Sequence, residues 1–248
     1  MKEFLFSEQW YWVLLIAFIS YLIGGISAAR IISGRKNEDV TKKGSGNPGT
    51  MNMTRVYGVK LGALTLFLDA LKGAIPVLVV HLIYRDYTIA DTGLQASDWL
   101  RYVSGLFVVI GHIYPVFNRF HGGKGIATTL GVFWVGLACE SLWFALVIFV
   151  GLVCMILYIA LTEWAGMGSL FGISLCVIIQ LSVFIVDYGM DWSLWLVAIF
   201  ANVVGICFFD WFAHRKNVVR LLSGEEHRTP LGALAKKAFA KKKDTKNS

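Results

Sequence analysis

The chain has 248 residues, of which 56% are hydrophobic and only 16% charged, with a mean hydropathy of +0.63. Soluble domains carry about a quarter charged residues, so a water-soluble fold is excluded; nine Trp, seventeen Phe and only four Pro likewise exclude disordered and collagen-like chains. A net charge of +7 in so apolar a chain means that the ionic residues are gathered at a few places on a polytopic membrane protein.

A membrane-spanning helix needs ~20 apolar residues, because the hydrocarbon layer is about 30 Å thick and a helix rises ~1.5 Å per residue. The first such run, residues 9–29, carries no charge. Its acidic approach (Glu3, Glu8) and its length mark a retained span, since a cleaved signal peptide has a basic start and a shorter apolar region. Further runs follow at residues 61–84, 102–117, 125–139, 141–162, 165–186 and 192–209, which gives an all-α, polytopic bundle of about seven transmembrane helices with the third and fourth short. A five-span arrangement that merges or discards the short runs keeps the same parity.

Most of the 23 Lys and Arg residues fall in the connections after the first, third and seventh runs. Glu3, Glu8, Asp86, Asp91, Asp98, Glu140, Asp187 and Asp191 fall on the other side. Basic loops stay on the cytoplasmic side, so the N-terminus is expected outside and the C-terminus in the cytoplasm. The expected division is a transmembrane part, residues 1–213 with cytoplasmic loops at 42–60 and 111–128, and a cytoplasmic part, residues 214–248. Cys139, Cys154, Cys176 and Cys207 lie in or at the ends of apolar runs without CxxC spacing, and read as small buried hydrophobes, not metal ligands.

Three polar clusters stand out in chain order. Residues 42–55 read KKGSGNPGTMNMTR, a glycine-rich loop beside cations whose amides can form an anion nest. Ser45, Asn47, Asn52 and Arg55 add donors to it, and Gly44, Gly46 and Gly49 happen to spell GxGxxG. No strand precedes that pattern, so a dinucleotide site is not expected; the plain alternative is a flexible loop. Residues 111–130 read GHIYPVFNRFHGGKGIATTL and place His112, Arg119, His121 and Lys124 around Gly122, Gly123 and Gly125. This departs from a Walker A loop, yet glycines, a lysine and the start of a helix share its phosphate-binding logic. The plain alternative is a tight turn obeying the positive-inside rule. Residues 214–230 read HRKNVVRLLSGEEHRTP and follow Asp210 at the end of the last run; alone, they would pass for a snorkelling basic collar. Beyond them Leu231, Leu234, Ala238 and Phe239 recur beside Lys236, Lys237 and Lys241, the pattern of an interfacial helix on anionic lipid. Within the second run, Asp69 and Lys72 lie on one helix face and are expected to pair, either as a structural latch or to orient the phosphate-binding loops.

Together the clusters resemble the bacterial acyl-phosphate:glycerol-3-phosphate acyltransferases. The motif GSGNxGxxNxxR is present as Gly44 to Arg55, GHxxPxFxxFxGGKGxAT as Gly111 to Thr128 with every fixed position filled, and HRxNxxRLLxGxE as His214 to Glu226. The DxxKG of Asp69 to Gly73 is also similar. The resemblance implies a multi-pass enzyme of the bacterial cell membrane, active on the cytoplasmic face, which transfers a fatty acyl group from acyl phosphate to the 1-hydroxyl of glycerol 3-phosphate. It implies catalytic roles for Ser45, Arg55, Lys124, His214 and Asn217. Substrate phosphate binding falls to Gly46, Asn47, Gly49, Asn52, His112, Gly122, Gly123 and Gly125, and a structural role to Glu226 beside Asp69 and Lys72. The family commonly has Ala-Thr where this chain has Thr50 and Met51.

The residue chemistry agrees with that reading. Two phosphate substrates need cations and amides, and an activated acyl donor needs only proximity and charge stabilisation, so no metal or other cofactor is expected. The general base is left between His214 and a substrate phosphate oxygen. The expected partners are the two substrates and the lipid bilayer, without nucleic acid, and the expected state is a monomer. An HxxxxD spacing at His81 and Asp86 belongs to the outer end of the second run and is set aside. The alternatives are a transporter of a phosphorylated solute and a non-catalytic lipid-binding scaffold.

Overall fold

Apolar runs that leave water have no backbone hydrogen-bond partner but themselves, which restricts them to helices. The computed structural model describes residues 2–190, 192–226, 228–230 and 232–233. Its helices are α1 (Phe6–Gly24), α2 (Ala28–Gly34), α3 (Thr50–Tyr57), α4 (Val59–Tyr84), α5 (Ala96–Ile113), α6 (Ile126–Ala138), α7 (Leu142–Thr162), α8 (Ala165–Tyr188), α9 (Leu194–Ala213) and α10 (Arg215–Leu222). Six stretches are long and apolar enough to cross a membrane: Phe6–Gly34, Val59–Tyr84, Ala96–Asn118, Leu142–Thr162, Ala165–Tyr188 and Leu194–Ala213. The chain is thus a multi-pass, nearly all-helical membrane protein.

Of the about seven transmembrane helices expected, six qualify by length and composition, and α6, with 13 residues, is a shorter apolar helix. At ~1.5 Å per residue α6 spans ~20 Å, less than the ~30 Å hydrocarbon layer. It is tolerated because neighbours enclose it: Thr128, Thr129, Leu130, Val132, Phe133 and Leu137 are all buried. Gly73 packs on the Thr128 carbonyl and Gly131 on that of Ala70, so α4 and α6 approach at backbone distance, as small residues allow in membrane bundles.

Three departures from the sequence reading have physical causes. The all-α expectation misses a small parallel pair, β1 (Lys2–Phe4) with β2 (Tyr87–Ile89), which seats Phe4 against Tyr84 and Trp99. The first run breaks at Gly25; Ser27 caps α2 by accepting from Arg30 N, and the freed Ile26 carbonyl accepts from Lys72 Nζ at 2.7 Å. Finally, α5 starts before residue 102 and takes in Asp98 and Arg101, which sequence assigned to a loop. Arg101 is fully buried because Asp98, at 2.9 Å, and Glu140 neutralise it. Gln180 donates to Glu140 at 3.2 Å, Tyr102 donates to Gln180 and Tyr188 to Asp98, so one polar clasp ties α5, α8 and the α6–α7 connection.

The clasp lies at the end of the bundle away from the three sequence clusters. His81 lies there too, with Nδ1 at 3.4 Å from Arg101, twelve residues or ~18 Å along α4 from Asp69. α7 and α8 keep large apolar side chains uncovered, among them Leu146, Phe149, Leu157, Phe171 and Ile178, as expected for surfaces that meet lipid. Of the expected interfacial helix, Leu231, Leu234 and the residues beyond it lie outside the described residues.

Candidate active site

The first motif is folded around one amide. Asn52 is buried; its Oδ1 accepts from Ser45 N at 2.8 Å, and its Nδ2 donates to the carbonyls of Val40 and Lys43 at 3.2 and 3.0 Å. Gly44, at φ +58, turns so closely over Asn52 that a Cβ there would collide with Oδ1. The Asn52 amide, expected on phosphate, is therefore spent on the loop. Ser45 is left exposed, with its hydroxyl free of hydrogen bonds to the described residues. Gly49 precedes α3 without a side-chain cap, so the first amides of that helix keep free donors.

The second motif doubles back on the end of α5. Gly122 N donates to the Ile113 carbonyl and Gly123 N to that of His112, each at 3.1 Å. A Cβ at either glycine would strike His112 or its carbonyl, so these glycines clamp His112 and present no free amide for phosphate. His112 Nδ1 lies 3.1 Å from Thr128 Oγ1 and 3.9 Å from Asp69 Oδ1. Gly125, at φ +91, opens α6 without a side-chain cap and abuts the Asp210 carboxyl. A second helix N-terminus, with its positive dipole end, thus lies beside Lys124.

The third motif locks onto the second. Lys124 Nζ donates to Asn217 Oδ1; Asn217 Nδ2 donates to Glu226 Oε1 at 2.6 Å, and Arg220 Nε to Glu226 Oε2 at 3.2 Å. Burial lowers the Lys124 ammonium to about 8, with Arg220 and Arg55 adding to the effect and Glu226 opposing it. His214 is buried, and its Nδ1 lies 2.8 Å from the Asp210 carbonyl. A carbonyl only accepts, so Nδ1 carries the proton and Nε2 keeps its lone pair. Burial, with the Lys124 charge second, holds that imidazole at about 4, hence neutral at physiological pH.

These pieces meet in one cavity of about 540 Å³. Ser45, Asn47, Gly49, Asn52 and Arg55 line it from the first motif; His112, Lys124 and Gly125 from the second; His214, Asn217 and Glu226 from the third. Asp69 joins them from α4, paired to Lys72 at 2.9 Å, and that pair ties α4 to the α1–α2 break. Gly46, Lys72, Gly122 and Gly123 are not in the wall. Sequence reasoning missed Thr229, whose hydroxyl accepts from Arg55 Nη2 at 3.2 Å and whose amide donates to the Glu163 carbonyl at 2.9 Å. Only the bare Thr-Pro at 229–230 hinted at an ordered turn there. It also missed the opposite wall of Leu152, Met155, Ile156 and Ile159, whose residues look like any lipid-facing stripe in sequence. The carboxylates Asp69 and Glu226 are already paired, so the cavity wall combines available cations and amides with hydrocarbon. That is the shape of a site for a phosphate carrying an acyl chain.

Residues 14–224 match the family described as glycerol-3-phosphate acyltransferase. The glycerol-3-phosphate acyltransferase of Aquifex aeolicus is 35% identical over 220 residues, 87% of this chain and 98% of its own. That of Geotalea daltonii is 37% identical over 209 residues, covering 84% and 93%. A crystal structure of PlsY (YgiH), an integral membrane glycerol 3-phosphate acyltransferase in its glycerol 3-phosphate form, aligns with a TM-score of 0.67 and 31% identity, covering 87% of this chain and 94% of that one. The lysophosphatidic acid form of the same enzyme aligns with a TM-score of 0.66. With three motifs converging on one cavity and relatives that match along most of its length, this chain belongs to the glycerol-3-phosphate acyltransferase family.

Proposed function

We infer that this enzyme transfers a fatty acyl group from acyl phosphate to the 1-hydroxyl of glycerol 3-phosphate, releasing lysophosphatidate and inorganic phosphate at the cytoplasmic face of the bacterial cell membrane. The observation that carries the reading is the one cavity that residues of all three motifs line together with the apolar face of α7. The acceptor hydroxyl oxygen bonds to the acyl carbonyl carbon, the bond from that carbon to the phosphate oxygen breaks, and the hydroxyl proton leaves to a base.

Each residue has a role in that step. Arg55 and Lys124, with the uncapped N-termini of α3 and α6, hold the phosphates and the charge that develops on the leaving group. Ser45 donates its free hydroxyl to a phosphate or to the carbonyl oxygen as that oxygen gains charge. Asn217 and Glu226 aim the Lys124 ammonium. His214 Nε2 accepts a hydrogen bond from the acceptor hydroxyl, but an imidazole near 4 is a weak base. A phosphate monoester, with a second pKa of about 6, is the better proton acceptor, so a substrate phosphate oxygen takes the proton. Proximity and electrostatics suffice because the acyl group is already activated.

The cytoplasmic placement is supported by the basic connections that carry the motifs. The geometry gives transport no support: the three motifs gather at one cavity toward one end of the bundle, whereas transporters place their sites near the midplane on broken helices. The test is reconstitution with acyl phosphate and glycerol 3-phosphate. Lysophosphatidate and inorganic phosphate in equal amounts support the assignment; solute flux without product contradicts it.

A further inference from the structure

Beside the catalytic cavity lies a second, narrower one of about 50 Å³ between α6, α7 and α8. Ile126, Leu152 and Met155 line both. The second cavity then runs past Gly151 and Gly172 to Ile148, Cys176 and Ile179. From Met155 to Val147 it follows eight residues of α7, ~12 Å at ~1.5 Å per residue, or roughly ten methylenes of an extended chain. Among the described residues its wall has no charged side chain.

A buried polar clasp adjoins the slot's last α8 residue, Ile179, in the chain. Directly beyond Ile179, Gln180 is fully buried, donates to Glu140 at 3.2 Å and accepts from Tyr102, while Glu140 pairs with the buried Arg101. This clasp fixes α8 to α5 and to the α6–α7 connection, so α8 cannot move away there without breaking a buried ionic network. An apolar slot that shares wall residues with a phosphate site suits one occupant, a hydrocarbon chain attached to a phosphate.

Resting on the acyltransfer reading above, we propose that this slot is a ruler for the acyl donor, with Gly151, Cys176 and Ile179 setting the chain length it accepts. Gly151 is the point of control, because a Cβ there meets no atom within 4 Å and the missing side chain leaves room for methylenes. Gly172 serves the entrance: its Cβ would stand 3.0 Å from Met155 Sδ, so the thioether can lie flat against α8 and leave the slot open. A pocket that counts methylenes discriminates about tenfold or more for each misfit.

The experiment measures kcat/KM for acyl phosphates with chains of ten to eighteen carbons, in the wild-type enzyme and in three variants. Gly151→Phe and Cys176→Phe shorten the slot from α7 and from α8, and each lowers the ratio of sixteen-carbon to ten-carbon kcat/KM at least tenfold. Ile179→Ala deepens it and moves the optimum to longer chains. A ratio that stays at the wild-type value in active variants, or that falls equally at every length, overturns the ruler. A wild-type protein inactive toward every acyl phosphate overturns the acyltransfer reading itself, so the two failures are distinguishable.

Discussion

Lys124 gives the sharpest prediction because its charge is both needed and strained. Burial brings it from the ordinary 10.5 to about 8. At ~1.36 kcal/mol per pH unit that is roughly 3 kcal/mol spent on keeping an ammonium in the cavity without its substrate. The active form is the charged one, and its fraction falls as pH rises: roughly ten to one in favour of charge at pH 7, about half at pH 8 and roughly a tenth at pH 9. The kcat/KM for acyl phosphate therefore falls on the alkaline side with a midpoint near 8. Lys124→Arg, whose guanidinium stays charged above pH 12, loses that limb while its kcat drops, because a planar fork does not replace a point charge held by Asn217. Glu226→Gln moves the limb the other way. Glu226, reached through the Asn217 bridge, is the charge that holds the Lys124 ammonium up, so its loss moves the midpoint below 8. The assay is initial-rate release of inorganic phosphate from pH 6 to 10 in detergent micelles. A wild-type rate that holds to pH 9.5, or an alkaline limb unmoved in Lys124→Arg, refutes the role given to Lys124.

Other expectations follow from the same geometry. Ser45→Ala removes a donor that braces nothing, so kcat falls about 10²- to 10³-fold while the thermal midpoint stays put; a matching loss of stability would contradict a chemical role. Asn52→Leu strands the Ser45 amide and the Val40 and Lys43 carbonyls, which costs about 2–4 kcal/mol by thermal unfolding and abolishes activity. Arg101→Met leaves Asp98 and Glu140 buried without their cation; about 3–5 kcal/mol of stability is lost, while KM for glycerol 3-phosphate in the folded fraction is unchanged. An unfolding midpoint equal to wild type would show that the clasp is not closed.

The helices were legible because lipid makes hydropathy nearly sufficient: the runs at 61–84 and 141–162 end within two residues of α4 and α7. Where charge enters the bundle, hydropathy misleads. Asp98 and Arg101 cancel one another three residues apart on α5, and the partner that buries them, Glu140, is nearly forty residues away. The three motifs were visible as clusters, but not the division of labour within them. Gly122 and Gly123 read as amide donors to phosphate, yet their amides serve the end of α5; Asn52 reads as a ligand and is the hub of its own loop. Such assignments depend on which carbonyl lies within 3 Å, which spacing does not encode. Thr229 meets Arg55 only because the chain after α10 returns to α3.

The central claim is that this cavity was built for a phosphate leaving group, and donor choice tests it most directly. With glycerol 3-phosphate held constant, purified enzyme is offered the same acyl chain as acyl phosphate, as acyl-CoA and as acyl carrier protein. Arg55, Lys124 and the two helix N-termini predict turnover with acyl phosphate, with kcat/KM for either thioester lower by at least a hundredfold. Equal or better turnover with a thioester would contradict the account.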